Sequence, residues 1–312
     1  MLSFLQILNF FVVPLATASA LLAGGEIWFR NHPVSGYGVD EAILQGQINR
    51  ANEGIRSRIL LTGDSSGLVG VDATRLAATL GVPVQSLATM GNVGPDGWGR
   101  LVVRARDANS PPDSVVVLVH GDALQRTLAV NEFERAALDG AWPRLPFGEN
   151  LRRGVLHTLG YFGDFPLPGA WGRQYGGAAG LGRSLESGSG TIADPTNGVS
   201  CPATNYQFRL SESIAGRLPG LASALRESGA RHVRLGVMPI PHRCAGPSSA
   251  PSRDVLIDQL VTRLNIEPTD VVPMPMTLPD DLFAGFTHLN AAGRQALTPM
   301  LAEALARKGK PQ

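Results

Sequence analysis

Charged and aromatic side chains are scarce in this chain of 312 residues, at 17% and 6% of the total. The 27 basic and 26 acidic residues leave a formal net charge of only +1. Proteins that bind the phosphate backbone of nucleic acids usually carry a basic excess, so we expect no nucleic-acid partner. The low charge, together with a hydrophobic content of 44%, also excludes a disordered chain and a coiled coil.

Cysteine is nearly absent as well. Cys201 and Cys244 are the only two, and such an even count in an exported protein permits one disulfide, although chance gives such a pair almost as often. Neither His120-x-Asp122 nor His242-x-Cys244 has the spacing of a zinc site. The sequence also lacks a glycine-rich phosphate loop and a dinucleotide fingerprint. We therefore predict no cofactor and no metal.

No charged side chain occurs in residues 1–23, an apolar run about as long as a helix that crosses a bilayer. One interpretation is an uncleaved transmembrane anchor, and the other is a secretory signal with a cleavage site at the small residues 18–20. No Lys or Arg precedes the apolar run, while Trp28 and Arg30 are typical of an interfacial helix end, so the sequence favours an anchor.

Residues 24–57 are interpreted as a linker with a lead-in helix, and strand-like and helix-like segments alternate after them. The run Ser114–Val119 is continuously apolar apart from its first residue, which is typical of a central strand buried on both faces. The alternation predicts an α/β fold, a three-layer sandwich in which helices cover a five-stranded parallel sheet. The predicted strands are 58–62, 84–88, 114–119, 232–238 and 270–274, and the predicted helices are 73–80, 98–106, 221–228, 254–264 and 291–306.

The stretch 140–205 breaks this alternation inside a domain that we place at 58–312. It is rich in glycine and proline and carries or adjoins aromatic residues, namely Trp142, Tyr161, Trp171, Tyr175 and Tyr206. An irregular insertion of this length is usually functional or mobile, and it follows the central strand, where α/β proteins hold ligand-facing loops. The aromatic rings would either stack on sugars or pack the insertion against the rest of the domain.

The turn Gly63-Asp64-Ser65-Ser66-Gly67 follows the first strand of the predicted domain. It places the Ser65 hydroxyl at the carboxyl end of the sheet, with small neighbours that let a carbonyl group approach and backbone N–H groups that stabilise an oxyanion. Asp and Ser are also ordinary turn and N-cap residues. The turn is therefore a candidate nucleophile site that needs a partner base.

A candidate base is His288, in the segment Thr287-His288-Leu289-Asn290 just before the last predicted helix. A serine hydroxyl is a weak nucleophile until a neighbouring imidazole takes its proton. Together the two segments resemble the SGNH, or GDSL-type, hydrolase superfamily over roughly residues 59–305. The resemblance implies that Ser65 is the nucleophile, that its N–H joins the oxyanion hole, and that His288 is the base.

Two further blocks of that superfamily match only in part. Gly91, in Met90-Gly91-Asn92, resembles the second-block glycine whose N–H stabilises the oxyanion. The third block contains His120-Gly121-Asp122, so Asp122 matches but Gly121 stands in the place of the oxyanion asparagine. The resemblance still assigns Gly121 and Asp122 to binding of the oxyanion or the substrate. Asn92 or a backbone N–H would have to replace that donor, whose loss typically costs about 2.7–4 kcal/mol of transition-state stabilisation.

The acidic partner of His288 is also missing from its usual place, because Gly285 stands three residues before the histidine. Asp281 or Asp280 would reach the imidazole around the loop. A backbone carbonyl would otherwise hold the ring and leave a Ser–His dyad. Of these, we predict Asp281 for this role.

The resemblance implies acyl-ester chemistry through an acyl-Ser65 intermediate, with O-acetyl transfer to an exported polysaccharide, or its removal, ranked first. The partners would be an acyl donor, a polysaccharide acceptor and an integral-membrane acyltransferase or polysaccharide synthase. Residues 1–23 would hold the protein in the inner membrane, with the globular domain in the periplasm. One alternative is a carbohydrate or lipid esterase, and another is a non-catalytic SGNH-like scaffold or binding subunit of an envelope polysaccharide complex.

Overall fold

The computed structural model describes residues 4–31, 38–106, 111–128, 131–140, 148, 150–152, 154, 155, 167–196 and 198–307. Helices and strands alternate through most of this part of the chain. The helices are α1 (Phe4–Asn31), α2 (Val39–Glu53), α3 (Ser65–Gly70), α4 (Ala73–Leu80), α5 (Gly94–Ala105), α6 (Gly121–Gln125), α7 (Glu132–Asp139), α8 (Gly169–Tyr175), α9 (Ala178–Ser187), α10 (Glu212–Ala215), α11 (Leu218–Glu227), α12 (Ser249–Leu264) and α13 (Ala291–Arg307). The strands are β1 (Ile59–Gly63), β2 (Val84–Ser86), β3 (Ser114–Val119), β4 (His232–Val237), β5 (Ile240–Pro241) and β6 (Thr277–Leu278).

The main sheet has four parallel strands in the order β2-β1-β3-β4, which confirms the predicted α/β class. The predicted fifth strand, 270–274, is wrong as a strand, because it joins the sheet through a single bridge between Val271 and Leu235. Pro273 lies in the middle of that segment and has no N–H to donate to a neighbouring strand. Strands β5 and β6 form a separate parallel pair beyond it.

Both faces of the sheet are buried, as the continuous apolar sequence of β3 predicts. Val115, Val117 and Val119 pack into the larger apolar cluster, with side chains from α2, α5, α11 and α12. Val116 and Leu118 pack into a second cluster on the opposite face, with side chains from α4 and α13. Helices therefore flank the sheet on both sides.

The lead-in helix expected within residues 24–57 is present as α2, and it belongs to the core. Leu44 and Ile48 are fully buried in the larger cluster. The buried Gln47 donates hydrogen bonds from Nε2 to the carbonyl oxygens of Ala88, at 2.7 Å, and Gly190, at 2.9 Å. The helix is thus fastened both to the segment after β2 and to the end of the predicted insertion.

The described part of the stretch 140–205 contains two helices, α8 and α9, where irregular chain was expected. Trp142 and Tyr161 lie outside the described residues. Just after α9, the chain runs to Cys201, which forms a disulfide with Cys244, the two Cα atoms being 5.4 Å apart. The pairing that the cysteine count permits is therefore present.

The apolar N-terminal run forms α1, in which Val13, Leu15 and Leu21 are exposed. Near its end the buried Glu26 accepts hydrogen bonds from the Asn150 amide and the Leu151 N–H, both at 2.8 Å. Across the residues that the structure describes, no helix has the length and apolar character needed to span a bilayer. The side chains of residues 1–11 lie outside the described part, and the anchor over 1–23 stays a prediction.

Candidate active site

The candidate site lies where the direction of strand addition reverses. Strand β1 has β2 on one side and β3 on the other, so the segments that leave the carboxyl ends of β1 and β3 diverge at this edge. Open α/β sheets bind ligands in the crevice at such a switch point. Ser65 follows β1 and His120 follows β3 at this edge.

The turn that presents Ser65 depends on the glycine at the end of β1. Gly63 has φ of +124°, a conformation that residues with a side chain rarely adopt. A Cβ atom at this position would overlap the carbonyl oxygen of Leu118 on β3. Because Gly63 lacks that atom, the next residue can approach β3, and the Asp64 N–H donates to Leu118 O at 3.2 Å. Ser65 then begins α3 with its side chain half-buried at the sheet edge.

Asp64 connects the turns after β1 and β3. Its fully buried carboxylate accepts the N–H of Ser66 at 2.9 Å, a hydrogen bond from the Ser66 hydroxyl, and the N–H of His120 at 2.7 Å. Burial raises the pKa of Asp64, and these hydrogen bonds oppose the rise. The carboxylate therefore fixes the position of the serine turn and is not directed at a substrate.

A short loop that is closed on itself presents His288. Phe283 and Leu289 form an antiparallel bridge, and the N–H groups of Ala284 and Gly285 both point to the carbonyl oxygen of His288, at 2.9 and 3.3 Å. These bonds hold the backbone of the histidine independently of its ring. The imidazole is therefore free to be oriented by its own two partners.

Those two partners are Ser65 and a carboxylate from the insertion. His288 Nε2 lies 2.8 Å from Ser65 Oγ, and Nδ1 lies 2.7 Å from Asp194 Oδ2. Burial alone would raise the pKa of Asp194, but hydrogen bonds from His288 and Thr196 outweigh it and lower the pKa below its ordinary value. An ionised carboxylate only accepts, so Nδ1–H donates to Asp194 and Nε2 is left to accept from the serine hydroxyl.

Asp194, and not the predicted Asp281, is the carboxylate that lies against His288 Nδ1, so the structure contradicts the expected contact of Asp281. Asp281 is exposed, and its backbone carbonyl accepts a hydrogen bond from Asn290. Asp280 is engaged elsewhere, by an ion pair with Arg243 at 2.7 Å. Both residues sit in a short turn before the histidine loop, whereas the imidazole faces the segment after α9.

The Asp194 segment is firmly held. Asp194 Oδ1 accepts the N–H of Thr196 at 2.8 Å and its hydroxyl at 2.6 Å, which closes a side-chain turn. The preceding carbonyl, of Ala193, accepts the Tyr175 hydroxyl at 2.6 Å. Sequence reasoning missed this carboxylate because no motif marks it and tertiary bonds set its position, 94 residues before His288. The available signal was an Asp in a loop already expected to face the ligand.

A cavity of about 230 Å³ opens beside the serine and the histidine. Gly91 and Asn92 border it, as the oxyanion prediction requires. The side-chain oxygen of Asn92 is buried and has no hydrogen-bond partner among the described residues. The remaining residues of the lining are Val39, Asp40, Ile43, Leu68, Val69, Met90, Arg126, Trp171 and Thr287.

Gly121 and Asp122, predicted to help bind the oxyanion or substrate, do not border this cavity, so the structure does not bring them to the candidate site. Gly121 is buried, and a Cβ atom there would come within 2.6 Å of the Phe208 ring. Asp122 pairs with Arg126 at 2.7 Å, and it is the arginine that reaches the cavity. The chain turns away from the cavity at His120. Nδ1 of this residue accepts the Asp122 N–H at 3.1 Å and caps the start of α6.

Besides Asp194, the sequence motifs did not indicate Asp40 or Arg126 as residues of the site. They indicated Trp171 only as one of several aromatic residues of the insertion. Asp40 comes from the first turn of α2. Burial raises its pKa, and the nearby charges of His288 and Arg126 oppose the rise. Trp171 was expected to contact either a ligand or the protein body, and it borders the cavity.

His120 lies beneath the histidine loop. It is 1% exposed, and burial lowers its pKa to about 3, so it is neutral near neutral pH. Its ring meets the ring of Phe286 edge-on, with 5.0 Å between centroids. His120 therefore packs against the loop that carries His288, and its hydrogen bonds to Asp64 and Asp122 do not involve Ser65.

No family model, curated protein or solved structure matches this chain. Within the described ranges, no group of three or more His, Cys, Asp or Glu side chains is arranged to hold a metal ion. The prediction that the protein uses no metal or cofactor stays a prediction.

Proposed function

We propose that the protein carries out serine-dependent acyl-ester chemistry, as an O-acetyl transferase or deacetylase that acts on an exported polysaccharide. The observation that carries this proposal is the continuous hydrogen-bonded chain from Asp194 through His288 to Ser65 at the wall of an open cavity. A serine, a histidine and a carboxylate in this order activate a hydroxyl for attack on a carbonyl in several unrelated folds.

In the first half-reaction, Ser65 Oγ attacks the acyl carbonyl carbon while His288 Nε2 takes the hydroxyl proton. Asp194 stabilises the imidazolium that forms. The N–H groups of Ser65 and Gly91, with the side chain of Asn92, are the proposed donors to the oxyanion. His288 then returns the proton to the departing alcohol, and the acyl group remains on Ser65.

In the second half-reaction, an incoming hydroxyl gives its proton to His288 and attacks the acyl-Ser65 carbonyl. Ser65 leaves and recovers the proton. If the hydroxyl belongs to a sugar, the reaction is transfer. If it belongs to water, the protein is a carbohydrate or lipid esterase, the second of the enzymatic functions that the sequence indicates.

We also propose an SGNH-like fold and a periplasmic location. The disulfide Cys201–Cys244 supports an oxidising compartment. The uncharged sequence of residues 1–23 and the exposed side chains of Leu15 and Leu21 support attachment to the inner membrane. An integral-membrane acyltransferase or polysaccharide synthase would be the neighbour that supplies the acyl group or the glycan.

The direct test is release of nitrophenol from p-nitrophenyl acetate by the full-length protein. We expect Ser65→Ala and His288→Ala to lower the rate by at least about a thousandfold, as losses in such triads do. Ser200→Ala, a change at an exposed serine away from the cavity, is the matched control and should retain the wild-type rate. Equal rates for Ser65→Ala and wild type would leave the scaffold function as the better account.

A further inference from the structure

We propose that the cavity beside Ser65 binds one uncharged, hydroxyl-rich sugar ring, held between the indole of Trp171 and the carboxylate of Asp40. This inference rests on the proposed function and assigns the acceptor subsite of the same reaction. It distinguishes a sugar from water or a lipid as the group that receives the acyl chain.

The two walls come from parts of the chain outside the recognised motifs. Asp40 lies in the first turn of α2, and Trp171 lies in α8, in the predicted insertion. Both border the cavity that Ser65 and His288 also border. A ligand that contacts both side chains is therefore close to the reacting groups.

The aromatic wall is fixed in place. The ring of Trp171 stacks on the ring of Tyr175, with centroids 5.7 Å apart and planes 29° apart. The Tyr175 hydroxyl donates to the Ala193 carbonyl at 2.6 Å, one residue before the carboxylate that orients the base. A flat apolar ring so held matches the C–H face of a pyranose better than a flexible acyl chain.

The polar groups of the cavity match hydroxyls. Asp40 offers acceptor oxygens, Arg126 offers donors, and Asn92 offers both kinds, while each sugar hydroxyl donates and accepts. An aliphatic chain would bury these groups without replacing their hydrogen bonds to water. A cavity of about 230 Å³ has room for a single sugar ring.

The charges favour a neutral sugar. Among the described residues of the lining, Arg126 is the one with a permanent positive charge, and Asp122 already pairs with it at 2.7 Å. Asp40, which lines the cavity together with Arg126, adds a second carboxylate. An anionic sugar would therefore meet net repulsion.

The bound ring would place one hydroxyl against the acyl-Ser65 carbonyl. The hydroxyl oxygen bonds to the carbonyl carbon, its proton passes to His288 Nε2, the bond from that carbon to Ser65 Oγ breaks, and Ser65 takes the proton back. The products are the O-acetyl sugar and the free enzyme, with no further reactant.

The experiment measures how the acetyl group divides between sugar and water. Full-length protein is incubated with p-nitrophenyl acetate and a methyl glycoside of glucose, mannose or galactose, with methyl glucuronide as the acidic arm. Mass spectrometry gives the ratio of acetyl-glycoside to acetate. This ratio does not depend on how fast acetyl-Ser65 forms, so donor chemistry and acceptor binding are read separately.

We expect at least one neutral glycoside to be acetylated, and Trp171→Ala and Asp40→Asn each to lower the ratio about tenfold, a loss of about 1.4 kcal/mol of acceptor binding. Trp171→Phe keeps an aromatic face and should retain most of the ratio, which guards against simple misfolding of Trp171→Ala. The controls Arg173→Ala in α8 and Asp258→Asn in α12 alter exposed residues outside the cavity and should leave the ratio unchanged.

Four results would overturn the inference. If nitrophenol is released normally but acetate is the only acetyl product with every neutral glycoside, the sugar subsite is refuted while the serine chemistry stands. Preferential acetylation of the glucuronide would refute its neutral character, and unchanged ratios in both the Trp171 and Asp40 variants would refute its location. If wild type releases no nitrophenol above the uncatalysed rate, the proposed function itself is refuted, and the inference with it.

Discussion

Replacement of Asp194 by asparagine removes the charge that orients His288 and changes almost nothing in volume. The carboxylate lies 2.7 Å from Nδ1, and its side chain is 5% exposed, so water cannot replace it. A hydrogen bond to a charged group contributes about 1.5–3 kcal/mol, which corresponds to a rate loss of about 10- to 160-fold. Asparagine also favours the wrong imidazole tautomer, for which the loss in a comparable triad is about 10⁴-fold.

We therefore expect Asp194→Asn to lower kcat for p-nitrophenyl acetate by between about 10- and 10⁴-fold. KM should change little, because Asp194 does not border the cavity. Asp281→Asn is the matched control, since it makes the same chemical change at the carboxylate that the sequence favoured, and we expect at most a twofold effect. The reasoning fails if the two variants have equal kcat, or if Asp281→Asn is the more damaged.

The other two predictions concern stability. His120 has a folded-state pKa of about 3 against an ordinary 6.5, so below 6.5 the unfolded chain binds more protons and unfolding is favoured as the pH falls. Relative to His120→Asn, wild type should lose about 1.4 kcal/mol per pH unit between those values, measured by urea unfolding. A parallel pH dependence of the two proteins would contradict the buried neutral imidazole. Gly63→Ala should cost at least about 3 kcal/mol, because it adds backbone strain and an overlap with Leu118. Gly182→Ala, in open space on α9, should be neutral or stabilising, and equal unfolding midpoints for the two glycine variants would contradict the account.

The sequence predicted the local features of the fold well. The strand Ser114–Val119 and the helix Ala73–Leu80, with its left-handed cap at Gly81, have the predicted boundaries. Each is determined by its own residues, an apolar run in one case and a periodic pattern closed by glycine in the other. The proximity of Ser65 and His288 was also predicted, because motif and topology both place them at one sheet edge.

What the sequence could not predict depends on contacts between distant segments. The carboxylate beside His288 comes from a stretch with no periodicity, and its place is set by tertiary bonds such as that from Tyr175 to Ala193. The cavity wall at Asp40 depends on how α2 packs, which a polar helical pattern does not specify. The third-block residues Gly121 and Asp122 were assigned by resemblance, and a histidine cap turns them away from the cavity.

The most direct test of the central claim is to stop the reaction halfway and find the acyl group. Wild-type protein, mixed with p-nitrophenyl acetate and quenched in acid within the burst, should yield one acetylated peptide, modified at Ser65, and His288→Ala should yield far less of it. An acetyl group found only on other nucleophiles, or an equal yield at Ser65 in both proteins, would contradict the claim that this serine is activated by this histidine.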